Sequence, residues 1–263
     1  MFQLVGAGAA FVASAAVSTP VILAVGVVVY VLATGAAWFT GSLGYATRVT
    51  PLRKEVGRIF RDMLEGFREV ARRAAAGLAL TSFLVIRTLL TFTVLATAFI
   101  SREFVVEQST STAVAGAVGA LGAVAGFVTA AMVRGRVRPI RIVTGALVLG
   151  GAGMLAFGGI INLAGISLMA FTVGISFFLG KVGVDTMMQE ALADSYRGRG
   201  FSLQDIAYNF SWIIPALVLF LFLTPAVART LMIAAGVTFL ALAVLISLWA
   251  RRVPATSEPA RAT

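Results

Sequence analysis

Hydrophobic residues occupy this chain in long unbroken runs, with none of the short alternation expected of strands. Eight runs approach or reach the roughly 20 residues that a membrane span needs. They lie at 2–17, 20–42, 76–100, 113–133, 142–160, 165–188, 202–223 and 230–250. Residues 50–73 differ in kind. Leu52, Val56, Ile59, Phe60, Met63, Leu64, Phe67 and Val70 recur there at helical spacing, and Arg, Lys, Asp and Glu fill the opposite face. That pattern predicts an amphipathic helix lying in the membrane interface, with Thr50 as its cap and Pro51 in its first turn. The expected organisation is two spans in 1–49, a linker helix in 50–75, six spans in 76–252 and a disordered tail, 253–263. The fold class is all-α, a polytopic bundle of about eight transmembrane helices.

Composition sharpens this class. Of 263 residues, 59% are hydrophobic and 12% charged, whereas a soluble domain carries about 25% charged residues; the mean hydropathy is +0.98. Cysteine and histidine are both absent, which removes disulfides, thiol chemistry, the commonest metal ligand and the usual general base. No enzymatic activity, cofactor or metal centre is expected. Gly6-x-Gly8 lacks the third glycine of a dinucleotide fingerprint. Gly174 and Gly180-Lys181 lack the spacing and the Ser/Thr of a phosphate loop, so direct ATP-driven chemistry is not expected either.

The net charge of +10 would suit nucleic acid, but its distribution points elsewhere. Joining the spans alternately puts seventeen of the 21 basic residues on one face: eight between Arg48 and Arg73, four between Arg134 and Arg141, then Arg197, Arg199, Arg251, Arg252 and Arg261. Only Arg102 and Arg229 fall on the other face, and Arg87 and Lys181 lie within spans. This is the positive-inside signature. It predicts a plasma-membrane protein with its basic loops and carboxyl terminus in the cytoplasm, a lipid bilayer as its main partner and no role for nucleic acid.

Several polar residues inside the spans are candidates for chemistry. Arg87 lies about midway along its span, where a charge costs at least ~2.5–3.5 kcal/mol on insertion scales. It either faces a cavity or serves only to bond neighbouring helices. Lys181, Asp185 and Gln189 are spaced i, i+4, i+8 along one helix face, and Lys181–Asp185 reads equally as a structural pair and as part of a gate. A polar turn, Asp194 to Gly200, would join this helix to the next, with Ser202 as N-cap and Asp205 returning a capping-box contact. Asp205, Tyr208, Asn209 and Trp212 then share a face of the second helix. Gly116, Gly119, Gly122 and Gly126 form a small-residue face that lets another helix backbone approach closely.

The runs Asp185-Thr-Met-Met-Gln189, Asp194-x-x-Arg197-Gly198-Arg199 and Leu203-Gln204-Asp205-x-x-x-Asn209 resemble the tenth helix, cytoplasmic turn and eleventh helix of the major facilitator superfamily. The likeness is to its bacterial drug- and siderophore-exporter branches. Arg134-Gly135-Arg136 resembles the basic loop that this superfamily places after its second and eighth helices, without that motif's usual acidic residue. The 50–75 segment is similar to the connection between the superfamily's two six-helix halves. The resemblance implies that the chain corresponds to helices five to twelve, either as a truncated chain lacking four amino-terminal helices or as a natural eight-span protein. It further implies a secondary transporter that exports small amphipathic molecules by alternating access. An ion gradient would drive it, with Asp185 and Asp205 as candidates for carrying a coupling proton. Arg87, Lys181, Asp185, Gln189, Asp205 and Asn209 would then be gating or coupling residues. A non-transporting membrane scaffold that modulates a partner is the alternative.

The charge asymmetry generates a direct test. With single cysteines at Ser109 and Ser195 in this cysteine-free chain, a membrane-impermeant thiol reagent on intact cells should label position 109 and spare 195. The reverse pattern would invert the topology and break the resemblance.

Overall fold

The computed structural model describes residues 27–28, 31–35, 52–104, 108–224 and 227–253. The span expected at 2–17, all but seven residues of the one at 20–42, and the tail beyond Val253 lie outside the described residues. Every regular element among the described residues is a helix. Residues 27–28 and 31–35 are helical; from Leu52 on, in chain order, the helices are α1 (Leu52–Arg72), α2 (Ala74–Phe104), α3 (Gln108–Val133) and α4 (Pro139–Phe157). Then come α5 (Leu163–Ala191), α6 (Asp194–Phe210), α7 (Ile213–Phe222) and α8 (Ala228–Arg252). Among the described residues, six segments are long and apolar enough to cross a membrane, α6 and α7 together forming one of them. The protein is an all-α, multi-pass membrane helix bundle.

Helix α5 is the centre of the bundle, packed against α2, α3 and α4, while α8 rests on α4. Its contact with α3 is a backbone-to-backbone one. A Cβ added at Gly122 would lie 2.1 Å from the Phe171 carbonyl oxygen, and one at Gly126 would lie 2.4 Å from that of Ile175. The fit is reciprocal, since a Cβ at Gly174 would fall 2.4 Å from the Gly119 carbonyl. Lipid supplies no hydrophobic drive for helices to associate, so close van der Waals packing of this kind does much of the holding. On its other side α5 contributes Ser176, whose buried hydroxyl donates to the Ala146 carbonyl of α4 at 2.6 Å.

The bundle has one end rich in arginine. Ala75 of α2, Pro139 of α4, Ala191 of α5 and Ala250 of α8 line a single small cavity there, so the starts of two spans and the ends of two others share a side. Arg73, between α1 and α2, ties this end together by donating to the last carbonyl of α5 (Ala191 O, 3.0 Å) and pairing with Glu69. An amphipathic helix is present where one was expected, as α1. It buries Val70 and Gly66 and leaves Met63, Leu64 and Phe67 uncovered among the described residues. Glu65 reaches Arg199 of α6 at 3.2 Å.

The expected turn between Asp194 and Gly200 is a correction: those residues are the first turns of α6, and the real connection is Leu192-Ala193. Asp194 suits the positive helix start and pairs with Arg197 three residues on. Gly200 is buried, and a Cβ there would lie 2.4 Å from Leu192 Cδ1, so its glycine lets the start of α6 pack against the short connection that precedes it. The capping box fails with it. Ser202 lies inside the helix and donates to the Gly198 carbonyl (3.0 Å), an ordinary i−4 back-bond. The expected continuous span 202–223 is also broken, at Ser211–Trp212. Pro215 is the cause: it lacks an N–H, and its ring crowds the carbonyl four residues earlier, that of Ser211.

Overpacking a tight contact costs about 1–3 kcal/mol and sometimes more. Gly122→Val should therefore lower the thermal midpoint of the detergent-solubilised protein clearly. Gly145→Ala, at a position with nothing within 4 Å, should leave it unchanged or slightly raised. Equal behaviour of the two variants would show that the α3–α5 contact is not what holds the bundle.

Candidate functional site

Three helices bring the polar residues of the membrane interior together. From the arginine-rich end, α2 and α6 run inward while α5 runs outward, so depth can be read from residue number at about 1.5 Å per residue. Asp185, Lys181 and Gln204 fall roughly 9–15 Å from that end, and Arg87, Phe177 and Tyr208 roughly 20 Å from it. The site thus has two tiers.

The outer tier is built on Asp185. Its Oδ2 accepts from Lys181 Nζ at 2.6 Å, and its Oδ1 accepts from Gln204 Nε2 at 2.8 Å. Both carboxylate oxygens are therefore engaged, one along α5 and one across to α6. The Lys181 and Asp185 side chains retain 39% and 26% of their exposure, so this tier opens to the surface of the described bundle. Gln204 is buried, and its Oε1 has no hydrogen-bond partner. This amide is the element that sequence reasoning passed over: it lies within the Leu203-Gln204-Asp205 run but off the face drawn through Asp205 and Asn209.

The inner tier is built on Arg87, which is only 4% exposed. Its guanidinium carbon lies 3.7 Å from the centre of the Tyr208 ring, 5.4 Å from Trp212 and 5.5 Å from Phe177. Gly150, Gly180 and the small residues around α5 allow α2 to pack close enough for this reach. No carboxylate among the described residues lies within ion-pair distance of Arg87, and its Nε has no hydrogen-bond partner. A desolvated cation–π contact contributes about 2 kcal/mol, whereas burying an ion costs several kcal/mol even after relaxation. The rings orient the guanidinium and offset only part of its desolvation.

The remaining candidates are placed elsewhere or act locally. Asp205 and Asn209 do not join Asp185: both are exposed, and Asn209 Nδ2 donates to the Asp205 backbone carbonyl at 2.8 Å. They lie on the outer face of α6, about a hundred degrees from Gln204 for each residue step. Gln189 is exposed, and its backbone carbonyl accepts from Arg197 Nε at 3.2 Å. Arg136 donates to the Met132 carbonyl at 2.8 Å, closing the end of α3, and Gly135 supplies the left-handed turn at φ +78°. Arg134 is exposed beside them. Arg197 and Arg199 work at the arginine-rich end, through Asp194 and Glu65 respectively, and Gly198 faces open space. Among the described residues, no group of His, Cys, Asp or Glu is arranged to hold a metal ion.

Two apolar cavities flank the site. One of about 290 Å³ lies between α2, α3 and α5, bordered by Thr93, Thr97, Gly119 and Phe178. The other, about 420 Å³, lies between α2, α7 and α8 and is bordered by Thr88, Phe92 and Pro215. Together these features define a multi-pass membrane protein with a buried, arginine-centred polar site. No family model, characterised protein or solved structure matches the chain.

Replacing a buried ionic group by a well-packed apolar one is often neutral or stabilising by about 1–4 kcal/mol. Arg87→Met should therefore unfold at the same temperature as the parent or higher, measured in detergent by light scattering or calorimetry. A clear fall in the midpoint would make Arg87 a structural tie between helices and remove it from the functional site.

Proposed function

We propose that this protein acts as a secondary transporter of the major facilitator type, moving small amphipathic molecules across the plasma membrane by alternating access. A proton gradient would drive it, and its arginine-rich end would face the cytoplasm. The observation that carries the reading is the polar site itself. Charged residues at membrane depth are costly, and where they occur they line cavities, relays and substrate paths. The break between α6 and α7 beside Arg87 adds support, because discontinuous helices commonly form transporter sites. So does the sequence resemblance of the Asp185–Asn209 region. The arginine-rich end supports the cytoplasmic orientation through the positive-inside rule.

Within this reading the two acids separate. Asp185 touches both Lys181 and Gln204, so protonating it would loosen the contact between α5 and α6 and give a proton a mechanical consequence. Asp205 touches no neighbouring helix in this way. Its exposed side chain makes it the weaker coupling candidate.

The alternative, a membrane scaffold without transport, is favoured by the same observation read structurally: Asp185 is fully engaged and serves as a tie between α5 and α6. Reconstitution into liposomes with an imposed pH gradient separates the two readings, using fluorescent amphipathic solutes of either charge. Transport predicts saturable, ionophore-sensitive movement that Asp185→Asn makes pH-independent and Asp205→Asn leaves intact. Movement that is neither saturable nor gradient-dependent for every solute would sink the transport reading and leave the scaffold.

A further inference from the structure

We infer that Arg87 is the anchor for an organic anion, and that the solute handled at this site is an amphipathic carboxylate or a similar anion. This rests on the reading of the polar site as a substrate path, and it adds the charge and shape of the substrate.

The argument begins with what Arg87 lacks. A buried guanidinium ordinarily has a carboxylate partner. Asp205, the acid nearest in depth, is exposed on the outer side of α6, and Asp185 is committed to Lys181 and Gln204 through both oxygens. Arg87 rests among aromatic side chains, Tyr208 the nearest, and its buried Nε has no hydrogen-bond partner. Arg87 lies over the Tyr208 ring at 3.7 Å, and the ring leaves its buried Nε–H without a hydrogen-bond acceptor; Nε–H belongs to the N–H edge of the guanidinium. That edge is the part that binds a carboxylate through two parallel hydrogen bonds.

The surroundings select the rest of the ligand. An aromatic cage generally captures a cation from outside, but here the protein's own guanidinium fills it, so the complementary guest is negative. Phe177 and Trp212 flank the guanidinium at 5.5 and 5.4 Å, and Trp212 is part-exposed, at 38%. They offer an apolar wall to the body of a molecule whose charge sits on Arg87. Gln204 lies four residues before Tyr208, on the same face of α6. Its unpartnered Oε1 adds a hydrogen-bond acceptor one turn away and disfavours a second negative charge. A singly charged amphiphile fits this combination better than a polyanion.

The test uses Trp212 as reporter, in the full chain with Trp38 and Trp249 changed to Phe, carried in phosphatidylcholine nanodiscs. Decanoate should change Trp212 fluorescence saturably, whereas decanol and decyltrimethylammonium should not. Arg87→Met should weaken the decanoate response at least tenfold, Arg87→Lys should weaken it less, and Arg251→Met should leave it unchanged. An anionic group could also come from the bilayer. Nanodiscs containing phosphatidylglycerol distinguish that source: a response already saturated by this lipid, with decanoate adding nothing, overturns the assignment to a solute. Equal responses to all three amphiphiles, or a decanoate response indifferent to Arg87→Met, overturn the anion anchor. Arg87-dependent decanoate binding without gradient-driven movement in liposomes would refute transport and keep the ligand class. Saturable transport of cationic solutes with no decanoate binding would do the opposite.

Discussion

The close approach of α3 to α5 is the contact on which the remaining geometry depends. Backbones can come this near only where no Cβ intervenes, and Gly122, Gly126 and Gly174 meet that condition at the crossing. With α3 drawn against one side, α5 can press its other faces on α2 and α4. Arg87 on α2 and Phe177 on α5 then lie within cation–π reach of each other. A bundle held by looser packing would leave Arg87 in lipid, where its cost would have no offset. The polar site is therefore a consequence of the apolar packing, and small residues at the first contact set the position of charged ones at the second.

Much of this was legible in the sequence, for physical reasons that differ from element to element. Span-length apolar runs have few alternatives, so the helices α2, α3, α4, α5 and α8 were readable to within a few residues at most ends. The glycine face of α3 was readable because small residues at a spacing of three and four serve few purposes in lipid except close approach. The start of α6 was not. Gly198 and Gly200 each carry a helix penalty of about 1 kcal/mol, and Asp194-Ser195 looks like a turn. What overrides that preference is tertiary: Gly200 fits beneath Leu192, and Arg199 is held by Glu65 of α1. Neither contact leaves a local trace.

The site was legible in its parts and not in its pairing. Arg87, Lys181 and Asp185 stood out because charges in spans are rare, and the Lys181–Asp185 pair follows from i, i+4 spacing alone. The sequence set Tyr208 and Trp212 on one face with Asp205 and Asn209, and could not show that α6 turns Gln204 and Tyr208 inward while Asp205 and Asn209 face outward. Both pairs are spaced by four residues, so each defines a coherent helix face, and periodicity cannot choose between them. The choice follows from which face lies against α2 and α5. It assigns the buried positions to an amide and an aromatic ring and sends the second acid outward. The cost of burying an unpaired carboxylate points the same way.

The break in the fifth described span then acquires a role in the electrostatics. Pro215 ends the regular ladder at Ser211, and the Ser211 hydroxyl turns back to donate to the Tyr208 carbonyl at 2.6 Å. That bond fixes the last turn of α6 at the residue whose ring covers Arg87. Below the break, α6 is tied to the arginine-rich end through Arg199 and Glu65 and to α5 through Gln204 and Asp185. Above it, α7 is almost wholly apolar and rests against α2 beside the larger cavity. One span is thus two pieces with different partners, joined next to the buried cation. A change of charge at Asp185 reaches this span through Gln204, below the break, whereas an occupant at Arg87 would touch the joint. Under the proposed transport reading, proton and anion would act on the same short segment of α6, from opposite ends of one helical turn or two.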